Sequence, residues 1–275
     1  MSSAIFFITF IGLLIGNILL FWYWDRKDPE PFWKLFKCFL LGILAAVLER
    51  FVFRFFVCKV FFAGDLFEFV VRINDEYVPW KDNPAYGSVS RLMFSAFVVG
   101  GILKEGIKFI MLSYALNKFR QHVDEPRDPL VYAFYIGLGF ALTDAFSHYY
   151  LDMVPFTKVE STLRYFRFDF SWVLLRLFTV HLAGSLLTGL GYALAMNEVH
   201  YETKTIFNIP SLSWLHRSRK VYLYTGLVLA ILVHGGTTLS FGARQWGWIA
   251  LGVVVVALEV WMIRWVMRRF AQDSY

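Results

Sequence analysis

The chain has 275 residues, 58% of them hydrophobic and 17% charged, with a mean hydropathy of +0.53. That composition excludes an ordinary soluble domain and makes lipid the expected solvent. The formal net charge of +6 comes with no basic cluster standing apart from the apolar segments, so it points to membrane topology, with no nucleic acid as partner.

The first apolar segment runs from Ile5 to Trp24 without an ionisable side chain, enough for the roughly 20 residues that cross a bilayer as a helix. It begins Met1-Ser2-Ser3-Ala4, lacks the basic start of a cleavable leader, and is read as a retained span. The next segments are Trp33 to Phe62, Leu92 to Leu116, Pro129 to Tyr150, Phe170 to Met196, Val221 to Ser240 and Trp246 to Val266. The expected fold is therefore an all-α membrane protein, a polytopic bundle of about seven transmembrane helices. With no long polar linker and no internal repeat, residues 1–275 read as a single integral membrane domain.

Basic residues alternate between the connections. Arg26, Lys27, Lys34 and Lys37 follow the first span; Lys118, Arg120 and Arg127 follow the third; Arg217, Arg219 and Lys220 precede the sixth; Arg268 and Arg269 follow the seventh. The loop after the second span instead mixes Arg72 and Lys81 with Asp65, Glu68, Asp75, Glu76 and Asp82. The positive-inside bias then predicts a multi-pass protein with its amino terminus outside and its carboxyl terminus in the cytoplasm. Cys38 and Cys58 fall on one predicted helix, roughly 30 Å apart at the helical rise, and cannot pair with each other.

Ionisable groups inside spans are costly and normally face a bundle interior or a wet cavity. The third span carries Lys104, Glu105 and Lys108; their spacing lets one carboxylate sit beside two ammonium groups, as a structural ion pair or as a functional one. The fourth carries Phe140, Asp144 and His148 at steps of four, one helix stripe, on which Asp144 and His148 could share a proton or a metal. His181 in the fifth and His234 in the sixth lie among small residues, Ala183, Gly184 and Ser185 in one case and Gly235, Gly236 and Thr237 in the other, which permit close helix approach. Arg50 and Arg54 share a face of the second span and read as interfacial or paired with neighbouring acids; Glu259 reads as a structural partner. If Glu105, Asp144, His181 and His234 meet, they could deprotonate a water beside a peptide carbonyl. Alternatively Glu105, Asp144, His148, His181 and His234 supply donors that a single zinc ion prefers. Spacing leaves both routes open.

Several motifs occur in a familiar order. Asp25-Arg26-Lys27-Asp28-Pro29-Glu30-Pro31, Lys104-Glu105-Gly106-Ile107-Lys108, Asp128-Pro129-Leu130-Val131-Tyr132 with Gly137-Leu138-Gly139-Phe140-Ala141, His181 with Gly191-Tyr192-Ala193-Leu194, and His234 together resemble the PrsW family of intramembrane proteases. Its clan includes the CAAX prenyl endopeptidases and the APH-1 subunit of γ-secretase. The resemblance implies an endopeptidase that cleaves a membrane-embedded or juxtamembrane protein substrate by activated-water attack. Glu105, Lys108, Asp144, His181 and His234 would be its catalytic residues, with no cofactor or one zinc. Lys104 stands where the family has its first glutamate, Asp144 where it has glutamate, and Ala145 where it has asparagine. Those departures keep a second expectation in view, a catalytically inactive scaffold that binds partner helices.

Overall fold

The computed structural model describes residues 11–12, 15–16, 18–19, 30–52, 94–123, 125, 127–147, 180–196 and 219–242. Among them the regular secondary structure is all helical, with no strand, and the architecture is that of a helical membrane protein. Helix α1, Phe32–Val52, starts directly behind Pro31, whose fixed φ suits a first turn where a missing N–H costs nothing. The Pro31 carbonyl accepts the amides of Lys34 at 2.9 Å and Leu35 at 3.4 Å. Leu35, Cys38, Gly42, Ala45, Ala46 and Glu49 are buried at helical spacing, whereas Phe36, Leu40, Leu44, Val47 and Phe51 are exposed. Large apolar groups outward and a carboxylate inward invert the pattern of a water-soluble helix; lipid imposes that inversion.

The predicted third span is two helical forms joined end to end. Phe94–Leu103 makes π-helical turns, and α2, Lys104–Lys118, continues from it. The wider i→i+5 turns shift the helical register at the junction, immediately before Glu105. A short 3₁₀ turn, Arg120–His122, leads toward α3, Asp128–Ser147, which again has proline, Pro129, in its first turn. The Asp128 side chain accepts the Glu125 amide at 2.9 Å and so holds the entry to that helix. Helices α4, Val180–Met196, and α5, Arg219–Gly242, complete the described bundle.

The segments Asp128–Ser147 and Lys220–Thr238 are long and apolar enough by themselves to cross a membrane, and Val180–Met196 is a shorter apolar helix. Helices α1 to α5 correspond to predicted spans two to six. Residues 11, 12, 15, 16, 18 and 19 are helical within the predicted first span. The rest of that span, residues 170–179 of the fifth, and the predicted seventh, Trp246 to Val266, lie outside the described residues.

Helix α3 is the central rod, buried along nearly its whole length. Close approach is purchased with small residues. A Cβ at Gly42 of α1 would overlap the Ile136 carbonyl, and one at Gly139 of α3 would overlap the Phe39 carbonyl, so the two backbones touch at reciprocal glycines. Helices α4 and α5 repeat the device: a Cβ at Gly191 would lie 2.6 Å from the Tyr222 oxygen, and one at Gly226 would lie 2.7 Å from the Leu187 oxygen. Gly42→Val is therefore expected to destabilise the bundle by about 1–3 kcal/mol through overpacking. Thermal unfolding in detergent checks it, with Leu44→Val on the lipid face as the control; equal midpoints for the two variants would refute the close crossing.

Candidate active site

On α2, Glu105 and Lys108 are three residues apart and share a face. Glu105 is fully buried and Lys108 is 2% exposed. The Lys108 Nζ lies 2.7 Å from Glu105 Oε1 and donates to the backbone carbonyl of His181 at 3.1 Å, tying α2 to α4. Glu105 Oε1 also lies 2.5 Å from His234 Nδ1 on α5. A carboxylate paired to a cation only accepts, so His234 carries its hydrogen on Nδ1. Room for this carboxylate depends on Gly184: a Cβ there would sit 2.6 Å from both of its oxygens.

Beside this group is a second carboxylate. Asp144 on α3 is buried, with Oδ2 at 2.9 Å from His181 Nε2 and 3.1 Å from Lys104 Nζ, and Oδ1 at 3.4 Å from Arg50 Nη2. The same acceptor argument places the His181 hydrogen on Nε2. The two imidazoles meet edge to face with ring centroids 4.9 Å apart, and Phe140 packs against His181 at 4.7 Å. Lys108 Nζ stands 5.4 Å from the same phenyl ring, within cation–π range. Every long polar side chain of the site thus rests on a helix other than its own.

Two polar atoms at the centre have no protein partner although both are buried: Glu105 Oε2 and His181 Nδ1. An unpaired buried acceptor costs about 1–3 kcal/mol, so atoms left so in a packed interior are fit to meet a ligand. Glu105, His181 and His234 each offer a ligand atom within 4.8 Å of one another. One carboxylate and two imidazoles are a donor set found in catalytic zinc sites that keep a further position open. Asp144 holds His181 at Nε2 as an outer-shell carboxylate does in such sites, whereas His234 would exchange its Nδ1 hydrogen bond to Glu105 for the ion. The residues present therefore fit the ion.

Of the residues expected from sequence, the structure brings Glu105, Lys108, Asp144, His181 and His234 to one buried place. His148 lies outside the described residues, so its proposed partnership with Asp144 does too. Asp144 is turned to Arg50, Lys104 and His181 and stands apart from the group of three that could hold a cation. One expectation needs correction. Lys104 does not join Lys108 on Glu105; it reaches Asp144 on another helix, because adjacent helical residues point about 100° apart and their side chains diverge. The sequence reading also treated Arg50 generically and gave Gly184 no role beyond close packing; only contacts between helices reveal either.

The family model described as "PrsW family intramembrane metalloprotease" matches residues 30–266. The chain is 28% identical to Protease PrsW of Clostridioides difficile (strain 630) over 143 residues, 51% of this chain and 48% of that protein. The chain thus matches about half the length of that curated relative. No solved structure matches it. Motif order, the convergence of its polar residues and a family match over most of its length agree: the chain belongs to the PrsW family.

Proposed function

We propose that this protein is an intramembrane endopeptidase that cleaves a membrane-embedded or juxtamembrane protein substrate by attack of an activated water. The observation that carries the reading is the pair of buried, unpartnered acceptors, Glu105 Oε2 and His181 Nδ1, in the group formed with His234. In this reading the two Glu105 oxygens have separate duties. Oε1 takes Lys108 and His234 and is thereby fixed in place; Oε2 is left to hold a water proton or an ion. Lys108 pairs with Glu105 at Oε1 and places its amino group where negative charge develops on the scissile carbonyl. A zinc ion would be held by Glu105, His181 and His234, with His234 giving up its hydrogen bond to Glu105, and when bound it would supply Lewis acidity and an acidified water. Burial of the group excludes competing solvent and strengthens each of these interactions.

Lys104 supports an active protein over an inactive scaffold. Its charge is spent on Asp144 and leaves Glu105 to Lys108, so the departure from the family's glutamate is balanced locally. We further take residues 1–275 as one domain of about seven spans in a bacterial inner membrane. The amino terminus would lie outside and Lys118, Arg120 and Arg127 on the cytoplasmic side.

Purified protein in proteoliposomes, presented with a panel of single-span membrane proteins and read by mass spectrometry of new termini, is expected to cleave at least one of them. His234→Ala is expected to lose that cleavage, and a chelator to remove it reversibly on zinc addition. A wild type that cleaves nothing across the panel but retains a partner helix through purification would instead establish the scaffold. Cleavage unchanged in His234→Ala would overturn the site.

A further inference from the structure

Beyond the residues that meet the reacting groups, we infer that Arg50 and Lys104 are positioning residues. From two different helices they fix the Asp144 carboxylate so that it holds the His181 ring by Nε2–H and leaves Nδ1 as the free, buried acceptor. The inference rests on the endopeptidase reading for its consequence but on contacts for its substance. Lys104 Nζ meets Asp144 Oδ2 at 3.1 Å and Arg50 Nη2 meets Oδ1 at 3.4 Å. One cation on each oxygen determines the plane of the carboxylate, which a single ion pair would leave free to rotate. In that plane Oδ2 also accepts from His181 Nε2 at 2.9 Å.

The burial gradient follows the same line. Arg50 and Lys104 side chains are 32% and 16% exposed, whereas Asp144 is 2% and His181 1% exposed. Both cations therefore reach inward from the periphery, their charged ends compensating a carboxylate that could not remain buried without them. Neither touches Glu105 or His234 in any described contact; both meet the site at Asp144. The His181 backbone is held independently, by Lys108 at its carbonyl; what the Asp144 group decides is ring orientation. A ring turned over would put an N–H in place of the free Nδ1 lone pair, and an N–H can meet neither an ion nor a water proton. An imidazole whose far nitrogen is fixed by a carboxylate is the usual device for presenting the near nitrogen as a lone pair.

The test combines kinetics with a readout that needs no substrate. Lys104→Met is expected to lower kcat by about 10–100-fold with KM little changed, and Lys104→Arg to restore most of the rate. Asp144→Asn combined with Lys104→Met should cost no more than the worse single change, because both act through one carboxylate. Nitrogen-15 spectra of histidine-labelled protein should show His181 as a single tautomer protonated on Nε2 in the wild type. That tautomer should be lost in the Arg50→Gln/Lys104→Met double variant, with His234 unaffected. An unchanged His181 tautomer in the double variant, or a Lys104→Arg protein as slow as Lys104→Met, would overturn the inference. A wild type that cleaves no protein of the panel would instead sink the endopeptidase reading, and the tautomer measurement would still decide the positioning role.

Discussion

Glu105→Gln is expected to abolish proteolysis, lowering kcat/KM by about 10²–10⁴-fold, the span usual for loss of a proton-transfer group. The substitution keeps the shape of the side chain and, through its amide oxygen, one acceptor for Lys108 or His234. It removes the charge and turns one carboxylate oxygen into an amide donor, at the place where Oε2 now has no protein partner. An amide neither takes a proton from water nor serves as an anionic ligand, so both versions of the chemistry fail together. Initial rates in proteoliposomes check this, compared with the wild type at equal folded protein. Bound zinc measured on the same samples separates the versions: a fall in metal content marks Glu105 as a ligand, and unchanged content marks it as the base. Retained cleavage would remove Glu105 from the reaction.

Lys108→Met is expected to be the most destabilising single change at the site, by about 3–5 kcal/mol, because it strands a buried carboxylate. Glu105 has no solvent exposure and loses the cation at 2.7 Å, while the His181 carbonyl loses its donor at 3.1 Å. Lys118→Met, on the exposed end of the same helix, is expected to stay within about 0.5 kcal/mol of the wild type. Adding Glu105→Gln to Lys108→Met should recover part of the loss, since removing both members of a buried ion pair costs less than removing one. Unfolding of the purified protein in mixed micelles measures all four. If Lys108→Met unfolds with the Lys118→Met control, the buried pair is not a structural tie.

The residues of the site were legible in the sequence for a reason specific to membranes. An ionisable side chain in a span has nowhere to go but inward, so finding Glu105, Lys108, Asp144, His181 and His234 on four apolar segments already limited where they point. The spacing of Glu105 and Lys108 correctly indicated a pair on one face. It failed for Lys104, assigned to Glu105 by proximity along the chain and found on Asp144. The helix rotates by about 100° per residue, and which neighbouring helix meets that direction is not a local property. Nor does any periodicity announce the π-helical turns over Phe94–Leu103, which change the register just ahead of Glu105.

The amino-acid sequence alone determined the solvent, the helical class, the inward set of polar residues and the family likeness. Each depends on composition, on the 3.6-residue repeat or on short motifs, and none requires knowing a neighbour. Tertiary structure decided the pairings: Glu105 with Lys108 and His234, Asp144 with Arg50, Lys104 and His181, and α1 against α3 at Gly42 and Gly139. Those contacts join residues up to 129 positions apart, and helix rotation and close backbone approach select among partners whose chemistry is equally suitable. Charge and hydrogen-bonding type state what a side chain needs; only packing states which helix supplies it.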